Sequence, residues 1–169
     1  GAERAHPADL WPAERRFREP EDSMVSAPLP YGPEARARLD SAVLKIVKSG
    51  DLSAAASMRE ACLGFVAAQS DRQARAFWKI CAGFFDALGG GLLVPDVYVK
   101  RVASRVLMQY ATLAKGDSTI ADRLVQDMLF FCSQARLADG EVGKAPALEA
   151  VRQSFGLNRF KPVDYETAR

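Results

Sequence analysis

Few side chains in this 169-residue chain have the types and spacing that covalent chemistry needs. The cysteines, Cys62, Cys81 and Cys132, are odd in number with no close pair, and each lies among apolar residues at helical spacing. They read as buried free thiols of a protein kept in a reducing compartment. A zinc site cannot be assembled from them, because the single histidine, His6, is distant in sequence and precedes Pro7. The same shortage removes Ser-His-Asp and Cys-His nucleophiles, which need a base beside the attacking atom. Among the carboxylates, Asp122 and Asp127 lie too far apart around a helix to share a face, and Asp117 reads as a turn residue. These acids are expected to be solvated surface charge, and no catalytic residue, metal or cofactor is expected.

The stretch "FFDALGGGLLVPDVYVKR", Phe84 to Arg101, raises a different possibility, a glycine loop cradling phosphate. Such loops follow a strand and lead into a helix, with Lys-Ser or Lys-Thr after the glycines or with the glycines spaced for a dinucleotide. Here a helical pattern precedes Gly89-Gly90-Gly91 and no Lys-Ser or Lys-Thr follows. The glycines are therefore expected to end one helix in left-handed geometry and turn the chain into the next.

Charge offers one further feature. Lys100, Arg101 and Arg105 fall opposite an apolar stripe, and one helical turn brings 101 and 105 together. They form a candidate docking patch for an acidic protein partner, set against the reading of an ordinary solvated face. A second candidate docking surface is the N-terminal arm around Trp11 and Phe17, which could pack on the rest of the chain or be captured by a neighbouring molecule. A nucleic-acid-binding helical domain would want more cations and exposed aromatics. The 23 basic and 21 acidic side chains leave a net charge of only +2, too little for an overall field toward nucleic acid or anionic lipid.

These residues must be positioned by helices. Residues 1–31, rich in Pro, Ala, Glu and Arg, read as a linker or extended arm, with a short helix allowed from Pro12 to Arg18 and Trp11, Phe17 and Leu29 as its anchors. From Pro33 the pattern is helix after helix. The first carries Leu39, Val43, Ile46 and Val47 and stops at Gly50. The second, capped by Asp51, carries Leu52, Ala55, Met58, Cys62 and Phe65 or Val66 to about Ala68. Ser70 with Gln73 would open the third as a capping box, followed by Ala74, Phe77, Trp78, Cys81, Phe84, Phe85 and Leu88.

The fourth begins near Pro95 or Asp96, with Val99, Val102, Ala103, Val106, Tyr110 and Leu113 inward, and Gly116 ends it. Ser118 would cap a fifth, bearing Ile120, Leu124, Met128, Phe131, Cys132 and Ala135. A polar turn from Ala138 to Lys144 leads to a short sixth from Pro146 to Phe155, ended by Gly156, and residues 157–169 read as an extended tail. Short joins make neighbours antiparallel, so the expected fold is an all-α antiparallel bundle of four or five long helices over residues 32–156.

Hydrophobic content of 49% suits a folded domain, and no apolar run approaches the roughly 20 residues that span a bilayer. The opening "GAERAHPADLW" has no charged-then-apolar leader, so the chain reads as a cytoplasmic piece of something longer.

Three stretches taken together, "DLWPAERRF", "QARAFWKICAGFFDALGGGLLVPDVYVKRVASRVLMQYATLAKGD" and "IADRLVQDMLFFCSQAR", resemble the N-terminal region of CheA-like hybrid histidine kinases that control type IV pili and twitching motility, the PilL/ChpA type. The resemblance covers most of residues 8–137. It implies a helical bundle similar to histidine phosphotransfer domains, a parent ATP-dependent protein-histidine kinase, and protein partners: other domains of that kinase or a pilus or chemosensory scaffold, with a homo-oligomer allowed. It does not supply the chemistry. A phosphotransfer histidine stands exposed in mid-helix with Lys and Gly close behind it, in a His-x-x-Lys-Gly arrangement that this sequence lacks. His6 would have to serve in an active phosphotransfer domain, and the expected function is instead a degenerate, non-catalytic docking module.

Overall fold

In the computed structural model residues 18–22, 24, 26–136 and 144–159 are described. They form six α-helices, α1 Pro33–Ser49, α2 Leu52–Ala68, α3 Arg72–Gly89, α4 Val97–Ala114, α5 Asp122–Gln134 and α6 Pro146–Ser154, then a 3-10 turn at Leu157–Arg159. Among the described residues there is no strand. His6, Trp11 and Phe17 lie outside them, as do residues 12–17 of the allowed first helix, most of the turn from Ala138 and the tail beyond 159.

Local chemistry sets most helix ends. The Asp51 carboxylate accepts from the Ala54 N–H at 3.0 Å, and that of Asp96 accepts from Tyr98 and Val99 at 3.0 and 2.9 Å. Two predicted caps fall elsewhere. Asp71, not Ser70, accepts from Ala74 N–H at 2.9 Å, because the helix starts one residue later than the capping-box spacing implied. Ser118 caps nothing: α5 starts at Asp122 after Ala121, whose N–H is held by the Gln109 side chain at 2.9 Å. In the triple glycine, Gly89 is the last helical residue and Gly91 takes the left-handed turn at φ 74°. A helix stands on each side of it, as the stripes predicted.

The chain order of the helices is not their spatial order. α2 packs between α1 and α3, α5 lies beside α3, and α4 lies between α5 and α1, closing a ring that runs α1, α2, α3, α5, α4. Tyr110 near the end of α4 meets Gly32 before α1, while Pro95 before α4 meets Gly50 after α1, so those two helices are antiparallel. The interior is aromatic. Phe65 and Trp78 have ring centroids 4.6 Å apart, Tyr110 stacks on Phe65 at 5.4 Å, and Tyr31 closes the cluster by accepting the Trp78 Nε1–H at 2.8 Å. The stripes predicted for α3 and α4 are buried throughout, whereas Val47 and Leu52 face outward, at the ends of α1 and α2 where no neighbour covers them.

α6 sits outside the ring against α3 and α5. Its N-terminus has no local cap. The buried Asp86 of α3 supplies one, its Oδ2 accepting from the N–H groups of Ala147 and Leu148 at 2.9 and 3.2 Å while Oδ1 accepts from Arg59 at 3.2 Å. The residues after α6 are not extended at first, because Leu157 is fully buried in the 3-10 turn.

Candidate functional site

The three thiols are buried and free. Burial pushes Cys132 up to about 12, and burial with a hydrogen bond to Cys62 raises Cys81 further from ionisation. They are core side chains, with the Cys81 and Met128 sulfurs 3.6 Å apart. No group of metal-ligating side chains comes together among the described residues.

Charge is gathered on two faces. On α4, Arg101 is exposed and its guanidinium lies 5.9 Å from the Tyr98 ring centroid, and Lys100 is half-buried. Arg105 differs from the surface cation expected of it. It turns toward α5, where its Nη1 meets Asp127 at 2.6 Å, and Arg123 approaches the same carboxylate at 3.4 Å. Asp127 is therefore an inter-helix partner, not the solvated charge expected. Tyr98, Val97 and Met108 stand out on the same helix at 63%, 57% and 71% exposure, and Val94 just before it at 75%. Ser41–Ser49 of α1 and Val97–Gly116 around α4 contain no acidic residue. The α4 side is thus apolar and cationic together.

The second face escaped the sequence reading. Arg75 and Lys79, one turn apart on α3, are covered by Glu19, Pro20 and Asp22 of the strap that precedes α1. Glu19 meets Arg75 at 2.7 Å, and the Lys79 ammonium meets the Pro20 carbonyl at 2.7 Å, Asp22 at 2.7 Å and Glu19 at 3.5 Å. Lys79 lies inside the apolar stripe and is only 7% exposed. The hydrogen bond and charge of Lys79 hold Asp22 below its ordinary carboxylate value. Farther along, the Leu29 N–H donates to the Gly64 carbonyl at 2.9 Å, and the strap lies so close that a Cβ on Gly64 would come within 2.7 Å of Leu29. Leu29 is the anchor it was expected to be.

The fold and these faces define a helical-bundle domain whose concentrated chemistry is charge. Residues 25–168 match the family described as FimL scaffold protein second domain, and the chain belongs to that family. No curated protein and no solved structure matches it. A scaffold-protein family is consistent with a protein related to pilus chemotaxis and does not single out a CheA-like kinase. Among the described residues no helix is long and apolar enough to cross a membrane.

Proposed function

We propose that this chain is a non-catalytic, phosphotransfer-like docking domain of a cytoplasmic chemosensory assembly that controls type IV pili, carried by a scaffold polypeptide. One observation carries the reading: the family span, residues 25–168, contains no histidine, since His6 falls before it. A bundle without the phosphate-accepting side chain keeps the surface of such a domain and not its reaction. The docking face is the α4 side, with Arg101 outward, Lys100 half-buried next to it, Arg105 anchored beside them, and Tyr98 and Met108 as exposed contacts. Tyr, Met and Arg are residue types enriched where proteins meet, and the acid-free run Val97–Gly116 suits an acidic partner. Trp11 and Phe17 of the arm provide a second candidate surface.

The test is a quantitative pull-down from cytoplasmic extract with the wild-type chain and Lys100→Glu/Arg101→Glu in parallel. Capture of a defined chemosensory or pilus protein, lost in the variant, is the expected result. An acid-labile phosphate on the chain that disappears in His6→Ala would replace this reading with active phosphotransfer. Binding of nucleic acid that weakens steeply with salt would replace it with a nucleic-acid module.

A further inference from the structure

The strap before α1 fills its seat unevenly. Its charges are matched with care: Glu19 and Asp22, three residues apart, straddle the Pro20 carbonyl, so three oxygen groups converge on Lys79 and the two carboxylates also serve Arg75, at 2.7 and 3.9 Å. Among its described residues the apolar match beside those charges is incomplete. Beside the charged contact a cavity of about 470 Å³ remains, walled by Leu63, Val66, Ala147 and Ala150 and bordered by Met24, which is 38% exposed. The Arg75 half of the seat is held independently of the strap. Arg75 Nη1 donates to the carbonyls of Val66 and Gln69 at 2.6 and 3.3 Å, fixing its guanidinium on the end of α2. Arg75 and Lys79 also lie inside the family span of residues 25–168, whereas Glu19, Pro20 and Asp22 precede it.

From this geometry we infer that the Arg75–Lys79 face of α3 is a binding site for an extended acidic peptide segment of a partner protein, and that Glu19-Pro20-Glu21-Asp22 occupies it in cis as a displaceable stand-in. A buried ammonium needs anionic acceptors, so the site cannot be left empty without cost. A fixed guanidinium and a helix-borne lysine recognise two carboxylates at i and i+3 around a backbone carbonyl. A competing segment that presents the same acids and follows them with a bulky apolar side chain gains the burial that the strap forgoes. The partner's recognition element is therefore acidic, extended and apolar on its C-terminal side. This site is separate from the α4 face, and its occupancy does not depend on the docking reading given above.

The experiment is a fluorescence-anisotropy titration of a labelled peptide with the sequence of residues 16–27, using the full chain. Glu19→Gln/Asp22→Asn is expected to bind it at least tenfold more tightly than wild type, since its own strap no longer competes for the charges. Adding Lys79→Met should return binding to the wild-type level or below, and a scrambled peptide of equal charge should bind tenfold more weakly than the native order. Equal binding by wild type and variant, no effect of Lys79→Met, or equal binding of the scrambled peptide overturns the proposal. If circular dichroism shows the double variant unfolded, Asp22→Asn alone serves, because Asp22 is 75% exposed and its loss leaves Glu19 and the Pro20 carbonyl in place. A wild-type dimer in sedimentation that the double variant loses would make the occupant a second copy's strap and overturn the cis assignment.

Discussion

The two basic faces use the same residue types and differ in what stands opposite them. On α4 Arg101 is displayed, and it meets nothing more than the Tyr98 ring among the described contacts. On α3 the cations are enclosed, with Lys79 nearly out of reach of water and its partners 57 to 60 positions away in sequence. Displayed charge contributes little to stability and is free to recognise something else. Enclosed charge is committed, because withdrawing its partner leaves an ion without solvent. The contrast separates a surface kept for others from a surface already holding an occupant.

That contrast can be sharpened first at its extreme, the enclosed acid Asp86. Asp86→Ala removes the cap of α6 and the buried one of the two carboxylates on Arg59, and should cost on the order of 3 kcal/mol in urea-induced unfolding, with α6 released first in hydrogen exchange. A loss below about 0.5 kcal/mol would mean that water replaces the carboxylate, and that enclosure is less complete than the geometry indicates.

A smaller effect separates neighbours on α4. Arg105→Ala should cost about 1 kcal/mol through its pair with Asp127, and Arg101→Ala should stay within about 0.5 kcal/mol of wild type. A double-mutant cycle between positions 105 and 127 isolates the pair. Equal costs at 101 and 105 would erase the distinction between anchored and displayed arginine.

The smallest effect is one of pH. Lys79 depresses Asp22 in the folded state, so the contribution of Asp22 is complete above the ordinary carboxylate range and is lost as pH falls through the lowered value. The stability gap between wild type and Asp22→Asn should therefore be present near neutrality and vanish in acid. A gap that persists unchanged well below the carboxylate range would show that the strap is held by something other than this charge.

Much of the fold could be read in the chain because helices declare themselves locally. Apolar steps of three and four, Asp51 as a cap, the start near Pro95 or Asp96, and the turns at Gly50 and Gly116 all act within a few residues, and the helices appear where they indicated. Failures occurred where the deciding neighbour is remote. Val47 and Leu52 fit their stripes but lie beyond the reach of a packing helix. Ser118 looked like a cap because nothing nearby discloses that Gln109, one helix back, holds the start of α5. Lys79 was hidden for the same reason: a lysine inside an apolar stripe reads as an interruption until a strap from the other end of the chain supplies three oxygens. The α4 cluster was visible because adjacency on one helix is a local fact, although the turn of Arg105 toward Asp127 was not.

The ring order of the helices also bears on how the molecule forms. Contacts among α1, α2 and α3 close across joins of two or three residues, while the seam between α4 and α1 unites Gly32 with Tyr110 across 78 positions. Closing so long a loop costs more entropy than any join before it. A nascent chain can assemble its first three helices soon after they are made, but it cannot seal its aromatic interior until the fourth has been synthesised and has folded back. Over that interval Phe65 and Trp78 lack the Tyr110 ring that covers them, and the speed of that return sets how long the unfinished interior is open to unwanted association.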